Sequence, residues 1–373
     1  MNWRAKGANA LAAVAVTCLW LGAALAPAPA CAAGRQLNIY NWADFIGVNT
    51  IAEFEQATGI KVVYDTYDSE ETEETKLMAG GSGYDVVVSS SQYFSRSIKA
   101  GVYQPLDKRL LPGWKNMDPE ALAAIAAADP GNRYAIPYLH SISGFAYNID
   151  MIRARMPDAP VDSLDMIFKP EVIARFADCG VTFLDSPEDM LQLALNYLHL
   201  NPNSVDPADY RAAERLLKRV RPYVRTFDSS AYLNALANAE QCLGVSWSSD
   251  YAVSIDRARA AGVKVNLTFS VPKEGANLGY TGLLIPAGAP HLAAAYAFLN
   301  FLLEPKVIAA VTNDIYYGND NAAANQYVLP RILNDPTLYP TRAMKARLYM
   351  AEEAGIAIER IRTRTWTRIK TDH

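Results

Sequence analysis

Short apolar stretches recur through the first third of the chain, with charged residues gathered between them. "QLNIYNW" (36–42) and "IKVVYDT" (60–66) carry β-branched and aromatic residues at strand spacing, and "YDVVVSS" (84–90) is nearly all apolar. Between the first two, "NTIAEFEQATG" (49–59) places Ile51 and Phe54 on one helical face, with Asn49 or Thr50 as cap and Gly59 as stop. "DSEETEETKLMAGG" (68–81) starts acidic and ends in glycines. It predicts a second helix whose paired acids, Glu70 with Glu71 and Glu73 with Glu74, form a solvated face. Apolar strands alternating with helices predict a parallel sheet covered on both faces.

The pattern changes after "YAIPYLHSISGFAYNID" (134–150). Residues 187–241 read as mostly helical, and His199 lies in an apolar helical stretch where a packed histidine is the simpler reading. Strands return at "CLGVSW" (242–247), "KVNLTFS" (264–270) and "GYTGLLIPA" (279–287), and helices follow to the end. There is no fixed-period repeat and no long polar linker. The pattern predicts a two-lobed α/β protein whose chain crosses between lobes more than once, near residues 138–145 and 266–280. The basic run "RIRTRTWTRIK" (360–370) reads as a surface strand or the last turns of a helix rather than an anion site.

The first 33 residues stand apart. Arg4 and Lys6 precede the apolar run "ALAAVAVTCLWLGAALA" (10–26), and small residues suited to signal peptidase follow, with a cut between Ala30 and Ala33. "APAC" lacks the large apolar residue usual three positions before a lipidated cysteine, which argues against lipidation of Cys31. Loss of Arg4 and Lys6 takes the formal charge from −4 to −6 (−4 − 2 = −6). That balance does not suit nucleic acid or a membrane surface, and the later sequence has no stretch of spanning length. An exported chain remains, long enough for two lobes. Of four cysteines, Cys18 and Cys31 leave with the leader, and Cys179 and Cys242 stay. In an oxidising compartment they are read as one disulfide or as two buried thiols. Neither has a His or Cys neighbour at metal-ligand spacing.

Ligands of open parallel sheets bind beyond the carboxyl ends of the strands. Those ends deliver Trp42 and Asp44; Ser89, Ser90 and Ser91; Asp185, Glu188 and Asp189; and Trp247 and Asp250. A Trp followed closely by an Asp thus occurs at two strand ends far apart in sequence. Two aromatic faces can flank an alkyl chain and attract a cation, and neighbouring carboxylates can bind an ammonium by charge-assisted hydrogen bonds. The bland alternative keeps both tryptophans in the core and both aspartates as helix caps. Enzyme readings find little support: there is no G-x-S-x-G elbow, "AGGSG" (79–83) is not followed by Lys-Ser/Thr, and the acids show no spacing that favours hydrolysis over binding. No cofactor is implied.

The stretches "IYNWADFI", "TGIKVVYD", "KLMAGGSGYDVVV", "AGVYQPLDK", "YNID", "PVDSLD", "CGVTFLDSPED", "FSVPKEGA" and "RTRTWT" together resemble the periplasmic polyamine-binding proteins of ABC transporters, most of all the putrescine-binding branch. The resemblance implies a type II-like, two-lobed α/β solute-binding fold with a ligand cleft between lobes joined by hinge crossovers. Lobe 1 is then 34–140 plus about 268–330, and lobe 2 about 141–267 plus 331–373. It implies a small cationic amine as ligand, an inner-membrane ABC permease as partner, a monomer in the periplasm, and no catalysis. It also implies pairing of Cys179 with Cys242. Carried over by position, the pocket falls on Trp42, Asp44, Ser90, Asp189, Trp247, Asp250 and Tyr317, with Ala43, Tyr280 and Thr281 at further pocket positions. Departures stand at Ala43 and Phe45, where the family has Ser and Tyr, and at Asp189, where it has Glu. At Gly279 and Thr281 it has an aromatic residue and an aspartate. With Thr281 in place of an acid, two ligand classes remain: putrescine or another polyamine in a shifted pose, or a monoamine or zwitterion such as 4-aminobutyrate or an amino acid. A sensor sharing the same pocket is the third expectation.

Overall fold

The computed structural model describes residues 36–371; the leader expected over 1–33 lies outside them. Ten strands are found among the described residues: β1 (Gln36–Trp42), β2 (Lys61–Tyr67), β3 (Val86–Ser90), β4 (Ala135–Asn148), β5 (Val181–Phe183), β6 (Thr226–Phe227), β7 (Leu243–Trp247), β8 (Leu267–Ser270), β9 (Leu278–Leu284) and β10 (Gly318–Asn319). β1 runs parallel to β2 and β3, as the alternating strands and helices predict. β9 then adds antiparallel to β3, and β4 antiparallel to β9. The sheet is therefore mixed rather than purely parallel, because β9 returns from late in the chain and runs against its neighbours.

β4 links the two halves of the fold. As far as Ile142 it pairs with β9, and from Ser143 onward it pairs with β7 and β8. β7 in turn lies parallel to β5, and β5 to β6. The segment from β8 to β9 runs beside β4, and the Asn277 carbonyl accepts the Ser143 N–H at 3.0 Å. Gly144 makes this crossing possible, since a Cβ there would stand 2.4 Å from the Ser270 carbonyl oxygen. Two lobes joined by crossing strands result.

One face of the first sheet packs Leu37, Ile39, Val86 and Val88 under the Leu292–Leu303 and Pro305–Ile315 helices. Ile332 and Leu338 belong to this same core. The opposite face, with Tyr40, Val87 and Phe94, is continuous with the core of the second lobe, where Val181, Phe183, Leu191 and Leu217 pack with Trp366. The basic C-terminal run is helical over Ile356–Thr371, with Arg362, Trp366 and Ile369 turned inward. His199 departs from expectation. It lies just past the Pro187–Tyr197 helix at φ 57° and is exposed, because the helix has ended and its apolar face is carried by Leu191 and Leu195. Cys179 and Cys242 form a disulfide with a Cα–Cα distance of 5.5 Å, which decides between the two sequence readings.

Candidate ligand-binding site

Two strand ends and two helix starts meet at the crossing. Asp250 opens the Asp250–Ala260 helix directly after β7, and Asp189 lies in the first turn of the Pro187–Tyr197 helix after β5. A helix N-terminus favours a negative side chain, which is why an acid sits comfortably at each position. Burial works the other way. Asp250 is 4 % exposed, and removal from water pushes its carboxyl up to about 6; Asp189 is raised by the same cause.

Neutral donors hold both carboxylates. The Trp247 N–H donates to Asp250 Oδ2 at 3.2 Å, the buried Tyr232 hydroxyl donates to the same oxygen, and the Tyr317 hydroxyl donates to Oδ1 at 3.2 Å. Asp189 accepts from Ser143 Oγ at 2.5 Å and Ser186 Oγ at 2.9 Å, and the Trp247 side chain bonds it as well. Ser143 is the β4 residue paired in register with Trp247. Trp247 thus stands between the two acids. Phe45 meets the Tyr317 ring edge-on at 4.7 Å and extends this wall.

A second group lies along β3 and β9. Ser90 is the register partner of Thr281, and the Thr281 hydroxyl donates to the Leu139 carbonyl on β4 at 3.0 Å. Ser90 donates both its N–H, at 3.0 Å, and its hydroxyl to Glu70. Trp42 is half-buried against Tyr67, with ring centroids 4.6 Å apart. At Gly279 a Cβ would meet nothing nearer than 3.6 Å, so the strand is open on that side.

The remaining expected positions are placed differently. Tyr280 alternates to the opposite face of β9 from Thr281, as strand geometry requires, and packs beside His140 at 5.8 Å. Ala43 is exposed, its N–H bonded to the Tyr67 carbonyl at 3.1 Å. Asp44 adopts φ 55°, its side chain is 81 % exposed, and it pairs with Arg257 at 3.1 Å. The solvated acid face expected of 70–74 is also corrected. Glu70 and Glu73 are buried, because the Glu70–Met78 helix turns that side toward β3.

Over residues 49–339 the sequence matches the family described as bacterial extracellular solute-binding protein. The chain belongs to that family. It is 44 % identical over 339 residues to the putrescine-binding periplasmic protein PotF of Escherichia coli, covering 90 % of this chain and 92 % of the relative. It is 43 % identical over 354 residues to the putrescine-binding periplasmic protein SpuD of Pseudomonas aeruginosa, covering 95 % and 96 %. A solved structure, a putative spermidine/putrescine ABC transporter from Listeria monocytogenes, superposes with a TM-score of 0.82 at 27 % identity, over 91 % of this chain and all of that one.

In this solute-binding protein, sequence reasoning missed Ser143, Tyr232 and Arg257. Ser143 had a usable signal, since it falls inside the expected crossing at 138–145. Tyr232 and Arg257 had none: each reaches its acid from a helical segment with no motif.

Proposed function

We propose that the protein is the periplasmic substrate-binding component of a polyamine ABC transporter, taking up putrescine or a related polyamine and delivering it to an inner-membrane permease as a monomer. The observation that carries this reading is the buried pair Asp189 and Asp250, arranged around Trp247 with hydroxyl and N–H partners that carry no charge. An ammonium entering there supplies the missing counter-charge and strong charge-assisted bonds. Trp247, Trp42 and Tyr317 are assigned to the methylene chain, and Ser90 and Thr281 to hydrogen bonds at the far end. Asp44 is assigned a place at the cleft mouth rather than against the ligand.

Length supports a diamine. Leu139, which binds Thr281, and Ser143, which binds Asp189, lie four residues apart on β4, or about 13 Å at strand rise. An extended four-carbon diamine spans roughly 6 Å between nitrogens, and a hydrogen bond of about 3 Å at each end brings the total to about 12 Å. The relatives' names, putrescine-binding proteins at 43 % and 44 % identity, point the same way. The lobes are assigned as 34–140 plus about 268–330 and about 141–267 plus the C-terminal segment. The return to the second lobe is placed after Tyr339 rather than at 331, because Ile332 and Leu338 pack in the first-sheet core. Export through a leader over 1–33 completes the reading.

A second reading, a monoamine or zwitterion such as 4-aminobutyrate, is favoured by one feature: Thr281 presents a hydroxyl where a second ammonium would want a carboxylate. A thermal-shift panel on the ligand-stripped mature protein separates the two. At 1,000 times its dissociation constant a ligand adds about 4 kcal/mol to folded stability. A large shift with putrescine, cadaverine or spermidine supports the proposal; a shift with 4-aminobutyrate alone replaces it.

A further inference from the structure

Glu70 and Glu73 are 6 % and 0 % exposed on a helix whose sequence suggested a wet face. Glu70 Oε1 accepts the Ser90 N–H and hydroxyl, and Oε2 accepts Ser89 Oγ at 3.3 Å. Glu73 Oε1 accepts the Tyr103 hydroxyl at 2.8 Å, while its Oε2 is buried with no hydrogen-bond partner. Arg96, on the following helix, is bound by Glu74 instead. Burial raises both carboxyls, Glu73 to about 8, and the Glu73 charge raises Glu70 further. The donors around Glu70 oppose that rise, so Glu70 is the member of the pair built to carry charge. Such a pair lacks a counter-charge.

Its position gives it a use. Ser90 faces Thr281 in register, and Glu70 lies directly behind Ser90. Ser90 donates its hydroxyl proton to Glu70, which leaves its oxygen lone pairs free to accept from a cation in front. We propose that Glu70, acting through Ser90, supplies the negative charge for the second ammonium of a diamine and so sets the preference for diamines over monoamines. This rests on the amine reading of the site. Glu70 is a positioning residue, one layer behind the contact surface.

Calorimetry of putrescine and 1-aminobutane against the parent, Glu70→Gln and Glu70→Gln/Thr281→Asp tests the assignment. Glu70→Gln should weaken putrescine about tenfold or more and leave 1-aminobutane within about twofold, and adding Thr281→Asp should restore putrescine. Putrescine binding within about twofold of the parent, or equal loss of both amines, overturns the role of Glu70 and leaves the amine reading standing. A parent protein that binds neither amine overturns both together. Should Glu70→Gln fail to fold, Thr281→Asp in the parent decides. A gain under about threefold shows the charge already present, and about tenfold or more shows it absent.

Discussion

The Tyr317 hydroxyl donates to Asp250 Oδ1 at 3.2 Å, joining the segment after the Pro305–Ile315 helix to the first residue of the Asp250–Ala260 helix. Tyr317 follows the first lobe's core helices, and Asp250 follows the central strand of the second. With Trp247 and Tyr232, this bond holds a buried carboxylate that no charged group neutralises within hydrogen-bond distance.

Asp250 therefore trades stability for binding. Its carboxyl titrates near 6 in the fold against an ordinary 3.8, so its contribution to stability is fully present below about pH 3.8 and lost as pH rises through about 6, roughly 3 kcal/mol in all. Asp250→Asn should stabilise the empty protein at pH 8 by up to that amount, with little change at pH 4. The same variant should lose about hundredfold in amine affinity. Melting curves at the two pH values and calorimetry read both effects.

The same titration gives binding a pH dependence. An ammonium beside Asp250 favours the ionised form, so the empty protein must release a proton to bind once pH falls below about 6. Affinity should be flat from pH 7 to 8 and fall by about tenfold per unit below that point. Calorimetry between pH 5 and 8 checks the slope, and Asp250→Asn should flatten it.

Asp44 should matter much less. Its pairing with Arg257 is exposed, with side chains 81 % and 33 % accessible, and ion pairs of that kind are worth about 0–1 kcal/mol. Asp44→Ala is expected to change amine affinity by no more than about fivefold. A loss matching that of Asp250→Asn would place Asp44 on the ligand.

The disulfide closes a loop with a sequence separation of 63 residues, and loop-closure entropy puts its stabilisation at about 4 kcal/mol. Replacing Cys179 and Cys242 together by alanine should lower the melting temperature by several degrees while leaving amine affinity intact, because neither sulfur reaches the site.

What could be read from the sequence follows from how local each signal is. The β1–β2–β3 alternation and the helices between them are written in apolar spacing, so they were legible, as were the two Trp–Asp strand ends. The antiparallel entry of β9 was not, since nothing local in "GYTGLLIPA" records its neighbours. Glu70 and Glu73 misled for a related reason. An acidic helix reads as wet, and only the packed helix shows that one side of it lies under Ser89, Ser90 and Tyr103. Tyr232 reaches Asp250 from eighteen residues upstream, a contact set by tertiary packing alone.

The central claim is that a buried acid site at Trp247 binds a diamine. Titration calorimetry of putrescine into the ligand-stripped mature protein at pH 7.5, beside the Asp250→Asn variant, tests it most directly. The account predicts one putrescine per chain with a dissociation constant of about 1 μM or tighter, and a loss of about hundredfold in the variant. Absence of putrescine binding by a folded parent, or equal affinity in the two proteins, would contradict it.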